Sequence, residues 1–251
     1  MLERALEYPW LRPPGSYVLT DGSIELLAEM DAARCECALA RFSSEGGGRS
    51  PLLAIGSNAS PETLERKFAH HPEKEDRALL ALTGRLRDFD VGVAAQPALY
   101  GSMPATLFPS PGTAVGATLL WVTPTQFTQL AWSEISYRLG ALRTRFEVDE
   151  TDDVLEEVLA FVSRFGAFCV DGEPVALAAV PAAGRSAREL TQEQALDAAA
   201  ALALGPGAKA ESLVRGIFED PAALAPRLAE TVNRESQPFA SGRWTPFGGD
   251  D

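Results

Sequence analysis

The 251-residue chain reads as an α+β protein: a small, mostly antiparallel β-barrel surrounded by helices, with a helical C-terminal extension. Three observations predict this. Up to about residue 180, many short apolar runs lie between turn signals, some alternating with period two, as at Phe89, Val91 and Val93. Few helical stretches separate those runs. From Ser186 onward the pattern changes to alanine-rich helical segments.

The elements follow in order. Residues 1–50 form an arm and a helix. Tyr8-Pro9-Trp10-Leu11-Arg12-Pro13-Pro14-Gly15 is a proline-rich aromatic arm, expected to cover the core because Tyr8, Trp10 and Tyr17 have nowhere else to bury. Ser16 to Thr20 is a short strand, Asp21-Gly22 a turn, and Ser23 to about Phe42 a helix with Ser23 as its cap; Gly46-Gly47-Gly48 is a flexible join. Residues 51–183 are expected to form the central domain. Pro51 to Ala54 is apolar, and Ser60-Pro61-Glu62 starts a helix with a cap, a first-position proline and a first-turn acid. Leu79 to Arg87 and Phe89 to Ala94 are strands. Pro104 to Phe108 and Val115 to Val122 form a hairpin about Ser110-Pro111-Gly112. Thr123-Pro124 opens a helix to about Ser133, with Phe127, Leu130 and Ala131 on its buried face. Val158 to Val170 and Pro174 to Val180 flank a hairpin turn at Asp171-Gly172. Residues 184–251 are the extension: helices over Thr191 to Leu204, Ala208 to Phe218 and Pro221 to Val232, the first stopped by Gly205-Pro206-Gly207, then an aromatic tail from Phe239 to Phe247. Its alanine stripes read as packing surface. It either caps the pocket or mediates assembly.

Charge narrows the partners. The net charge is −13, from 35 acidic against 22 basic residues. That disfavours nucleic acid and anionic membranes, both of which need basic neutralisation; keeping the protein in solution is reason enough for it. No apolar run reaches the ~18–20 residues of a membrane span. Met1 to Glu7 lacks a basic region followed by an apolar core, so no secretory signal is expected. Three cysteines cannot make a disulfide framework: Cys35 and Cys37 face different sides of a helix, and Cys169 lies in a strand. The cytoplasm is the expected compartment. His70 and His71 are adjacent, diverge, and sit favourably at a helix C-terminus, so no metal site is expected. Without a Walker loop, a dinucleotide fingerprint or a nucleophile elbow, no cofactor is expected either. The expected partner is a small molecule, and the oligomeric state is open.

The chemistry concentrates in two places. Ile55-Gly56-Ser57-Asn58 joins an apolar run to a helix start, an order that turns backbone N–H groups toward a carboxylate, a phosphate or a developing oxyanion. The same residues also make ordinary turns. Glu134 falls where the Thr123-Pro124 helix runs out, and a carboxylate there opposes the helix dipole. A residue at odds with its local setting is a reason to ask about function.

Taken in order, Gly56-Ser57-Asn58 after a strand, Ala105-Thr106-Leu107, Ser110-Pro111-Gly112, Val115-Gly116, and Leu130 followed by Glu134 resemble the γ-glutamylcyclotransferase-like family over roughly residues 51–180. The family's first motif usually begins with tyrosine, where this chain has Ile55. Its glutamate usually follows Leu-Asp and precedes glycine, where this chain has Leu130-Ala131 before Glu134 and Ile135 after it. The resemblance implies the barrel fold and an amide-bond lyase or acyltransferase. Glu134 would be the catalytic general base and acid, and Ile55, Gly56, Ser57 and Asn58 the substrate-binding loop. The implied reaction is cyclisation of a γ-glutamyl amide to 5-oxoproline with release of an amine. Tyr137 reads either as a substrate hydrogen-bond partner or as a strand-edge aromatic. Two other readings stay open: a non-catalytic member that binds a small acidic metabolite or a protein, and a different amide-processing reaction in the same pocket.

Overall fold

A computed structural model describes residues 1–42, 48–151 and 153–247; of the expected Gly46-Gly47-Gly48 join, only Gly48 is among them. The chain divides into two compact units. One comprises Met1–Trp10, Asp88–Val115 and Val162–Ser241; the other comprises Leu11–Arg87, Gly116–Phe161 and Gly242–Asp251.

The strands are β1 (Tyr17–Thr20), β2 (Ser23–Leu26), β3 (Ser50–Ala54), β4 (Ala78–Val93), β5 (Ala105–Val122), β6 (Tyr137–Val148) and β7 (Val154–Ser163). Hydrogen bonds give the order β5-β3-β7-β6-β4, and β4 pairs again with β5, closing five strands into a barrel. The expected α+β barrel is present, but it is mixed. β3 runs antiparallel to β5, with Leu52 opposite Leu120, and parallel to β7 through Leu52 and Leu159. A parallel neighbour requires a long crossover, and the chain between β3 and β7 supplies one through helices and three further strands.

Within the second unit, Tyr17, Leu19, Leu52, Leu64, Phe68, Leu79, Leu120 and Leu130 form one buried cluster. It joins β1, β3, β4 and β5 to the Pro61–Phe68 and Pro124–Ser133 helices. The second helix starts as expected: Thr123 and Gln126 form a reciprocal capping box, with Pro124 in the first turn. Arg49 locks its position. This buried guanidinium donates to the carbonyls of Ala78 and Trp121, each at 3.0 Å, to that of Glu75 at 2.9 Å and to Gln126 Oε1 at 3.3 Å.

Several turn signals act differently from expectation. Asp21 and Gly22 have φ of 45° and 79°, a two-residue hairpin turn in which Thr20 pairs with Ser23. Ser23–Leu26 is therefore a strand, and the helix covers only Ala32–Phe42. Its cap is Asp31, whose Oδ1 accepts the Arg34 N–H at 2.9 Å. Ser110-Pro111-Gly112 does not reverse the chain: β5 passes through it, and β4 likewise runs unbroken through the expected gap at Asp88. Both carry a bulge-like kink there. Asp88 has φ 65°, Gly112 has φ 82°, and the Gly112 N–H donates to Asp88 Oδ1 at 3.0 Å. The run from Val158 to Val170 is broken at Gly166, φ 76°, so β7 ends at Ser163. β8 (Ala167–Val170) and β9 (Glu173–Pro174) then form the expected hairpin about Asp171-Gly172.

In the first unit the helices are Leu2–Leu6, Gln192–Leu204, Ala210–Glu219 and Pro221–Glu230. Ala195, Ala199, Ala200 and Ala203 are buried, as expected of a packing stripe, and Gly205 ends that helix at φ 105°. A fully buried Asp90 accepts two hydrogen bonds from Arg185, each at 2.8 Å. Among the described residues no helix is long and apolar enough to cross a membrane.

Gly84 faces β6 at close range: a Cβ there would press on the Glu147 carbonyl and lie 2.7 Å from the Phe146 ring. Gly84→Ala should destabilise the protein by about 1–3 kcal/mol in chemical denaturation. Gly242→Ala, whose Cβ would meet nothing within 4 Å, should change stability by about 0.5 kcal/mol or less.

Candidate active site

The two sequence features converge within the second unit. β3 ends at Ala54, Ile55 is buried, and Ser57–Ala59 make a single 3-10 turn. The Gly56 and Ser57 carbonyls close it by accepting from Ala59 and Ser60, both at 3.0 Å. Ser60 holds the N-cap position of the Pro61–Phe68 helix but through its backbone alone, accepting from Leu64 at 3.2 Å. The loop is pinned from the arm. Arg12 Nη2 donates to the Ile55 carbonyl at 2.6 Å and the Gly56 carbonyl at 3.4 Å, and the Tyr17 hydroxyl donates to Ala59 O at 3.5 Å. Burial pushes the Tyr17 hydroxyl's pKa well above the usual phenol value, so it stays a donor.

Glu134 is the C-cap of the Pro124–Ser133 helix, where its N–H donates to Ala131 O at 3.1 Å. Its side chain turns to the loop: Asn58 Nδ2 donates to Glu134 Oε1 at 2.9 Å, across 76 residues of sequence. Lys67, on the Pro61–Phe68 helix, completes the group. Its Nζ donates to Asn58 Oδ1 and to Ser133 Oγ, each at 2.7 Å, and lies 3.7 Å from Glu134 Oε1. Ser133 Oγ in turn donates to Leu130 O at 2.8 Å. Asn58 thus presents its oxygen to an ammonium and its nitrogen to a carboxylate, the one amide orientation that satisfies both.

Both charged side chains are only 15% exposed. Burial raises the Glu134 pKa above the usual carboxyl range, against the opposing pull of Lys67 and the Asn58 hydrogen bond. Burial likewise lowers Lys67, against the attraction of Glu134, while Arg66 adds to the lowering. Each group is thereby moved toward the pH range where it can exchange a proton.

The other sequence-derived residues fall near this group. Tyr137 opens β6, half-buried, and donates its backbone N–H to the Glu134 carbonyl at 2.9 Å. Sequence reading missed Lys67, Ser133 and Arg12. Lys67 had a signal: it lies in the buried stripe of its helix, beside Thr63, Leu64 and Phe68, where a lysine needs a partner. Arg12, in a proline-rich arm, had none. A separate cavity of ≈ 170 Å³ is lined by Asp21, Gly22, Glu65, Phe68, Ala69 and Arg77, none of them in the Glu134 network. Its Arg77 is already bound to Asp21 at 2.7 Å.

No family model and no curated protein matches this chain. Similar solved structures include two Arabidopsis thaliana proteins determined in solution. The first is 13% identical over 46% of this chain and 62% of its own, TM-score 0.36; the second is 16% identical over 49% and 73%, TM-score 0.37. A structure described as gamma-glutamyl cyclotransferase is 11% identical over 77% of this chain and 91% of that one, TM-score 0.37. At these identities, what the site does has to be argued from its own geometry.

The geometry sets the sign of a stability change. Asn58 favours the ionised form of Glu134, so Asn58→Ala should destabilise the protein by about 1–3 kcal/mol where Glu134 is ionised. The deficit should shrink as pH falls. A carboxyl with a raised folded pKa takes up its proton before the unfolded chain does, and once neutral it no longer needs the amide donor. Denaturant midpoints of wild type and variant across pH 4 to 8, on the order of the unperturbed carboxyl value and above, would show a constant offset if Asn58 did not act on Glu134's charge.

Proposed function

We propose that this protein cleaves a γ-glutamyl amide by intramolecular cyclisation, with Glu134 moving the proton. The observation that supports this most is the hydrogen bond between Asn58 of the loop and a largely buried Glu134 whose pKa is raised. In the proposed reaction the substrate's own α-amine attacks the γ-carbonyl. A C–N bond forms, the γ-amide C–N bond breaks, and 5-oxoproline and a free amine leave. Because nucleophile and carbonyl share one molecule, the chain need not bring them together. Its task is proton transfer and charge stabilisation. Glu134 accepts a proton from the α-ammonium and returns it to the departing amine, and a carboxyl shifted toward neutrality does both well. The N–H groups of the Gly56–Asn58 loop are the donors this reading assigns to the tetrahedral oxyanion.

The flanks argue for a substrate other than glutathione. Trp132 and Ile135, on either side of Glu134, are 76% and 78% exposed. Together with Ile55 in place of the usual tyrosine, they suit a γ-glutamyl amine with an apolar leaving group or a protected biosynthetic intermediate.

Wild type and Glu134→Gln would be assayed against γ-glutamyl peptides and γ-glutamyl amines, with 5-oxoproline read by mass spectrometry. The expected result is lactam from the wild type and a loss of ~10²-fold or more in the folded variant. Glutamate as product would instead mean hydrolysis, and saturable binding with no product would mean a binding protein. Full activity of Glu134→Gln would remove Glu134 from the mechanism.

A further inference from the structure

Lys67 sits on a helix whose packing has other anchors. Its helix already packs through Leu64 and Phe68, both fully buried. A largely buried ammonium is costly, and an apolar side chain of similar length would sit in that stripe without the desolvation cost. What the position provides is a cation 3.7 Å from the carboxylate of Glu134. That separation is too long for a hydrogen bond. Of the three N–H donors of the ammonium, two are taken by Asn58 Oδ1 and Ser133 Oγ. The third is committed to neither. The two neutral acceptors hold the ammonium in place without neutralising it, and both Lys67 and Glu134 keep part of their side chains open to solvent.

A fixed anion and a fixed cation at this separation match one small chemical group. An α-amino acid head carries its ammonium and its carboxylate on a single carbon, a spacing comparable with that between Glu134 Oε1 and Lys67 Nζ. We propose that Lys67 is the receptor for the substrate's α-carboxylate and thereby sets specificity for substrates with an intact α-amino-acid head. The proposal deepens the proposed function, on which it rests for the placing of the α-ammonium beside Glu134. In the structure the two side chains face each other. With substrate bound, each takes the opposite charge of the zwitterion, so neither is left buried and uncompensated. Asn58 and Ser133 keep their bonds to Lys67 throughout, so the receptor is set before the ligand arrives. The same arrangement orients the reaction, because holding the carboxylate at Lys67 keeps the amine at the base.

The test uses binding, measured by calorimetry on the full chain, with three probes. L-Glutamine has a γ-amide and an intact head. 4-Aminobutanamide lacks the α-carboxylate, and 4-carbamoylbutanoate lacks the amine. The wild type should bind L-glutamine about tenfold or more tighter than either truncated probe, the order expected for one charge-assisted contact. Lys67→Met, checked for folding by circular dichroism, should lose the preference over 4-aminobutanamide while keeping preference over 4-carbamoylbutanoate. Lys67→Arg should restore part of the lost preference. A purely structural lysine would weaken all three probes alike, and that result would overturn the proposal. So would unchanged glutamine binding in Lys67→Met, or a wild type that binds none of the probes. No turnover is required. Glutamine binding through Lys67 without any 5-oxoproline would sink the reaction and keep the receptor. Lactam formation with an unaltered head-group preference in Lys67→Met would do the reverse.

Discussion

One carboxamide holds opposite charges in a largely buried setting. Asn58 donates to Glu134 and accepts from Lys67, so its orientation is fixed from both ends. Aspartate there would set a second carboxylate against Glu134, and a hydrocarbon would leave both ions without their shared neighbour. Asn58 can do this because its backbone belongs to a 3-10 turn, closed by the Ala59 and Ser60 N–H groups and preceded by Ile55 and Gly56 carbonyls that Arg12 holds. A looser loop would let the amide rotate and solvate, and the reason for burying either charge would disappear.

The barrel wall and two helices make that geometry reproducible. β3 delivers the loop, the Pro61–Phe68 helix delivers Lys67, and the Pro124–Ser133 helix ends on Ser133 and Glu134. All three meet in the cluster that contains Leu52, Leu64 and Leu130. The helix that carries Glu134 is fixed at its far end too, by the Thr123–Gln126 capping box and by Arg49 reaching Gln126 from beneath. Arg49 spends its donors on main-chain carbonyls of β4 and β5 as well. A shift of the helix would therefore break several buried hydrogen bonds at once, each costly to leave unmade.

Short-range chemistry in the sequence was legible and long-range pairing was not. Thr123-Pro124 announced its helix, and Asp171-Gly172 its hairpin, because their signals lie within four residues. Asp21-Gly22 reads as a turn, yet the strand after it reads as a helix, since Ser23–Leu26 gains its extended form from pairing with β1. Ser110-Pro111-Gly112 reads as a chain reversal, but turn residues also serve to kink a long strand, and only the Asp88 carboxylate across the ladder tells the two uses apart. At the site, Glu134 and the loop stood out locally, while Lys67 was concealed as one more charge on a helix. Its meaning depends on Asn58, nine residues earlier, and on Ser133, 66 residues later.

The charge balance of the site also bears on what can approach it. The chain as a whole carries −13, a field that slows net-anionic ligands and speeds net-cationic ones. Within the site, Glu134 and Lys67 sum to zero. A ligand whose head is a zwitterion is likewise neutral, so the long-range field acts on it only weakly and selection is left to contacts at close range. Those contacts are largely shielded from solvent, and there the position of each charge counts far more than the total. An acidic exterior is thus compatible with an amino-acid head reaching the site, and the discrimination falls to the few ångströms between one carboxylate, one amide and one ammonium.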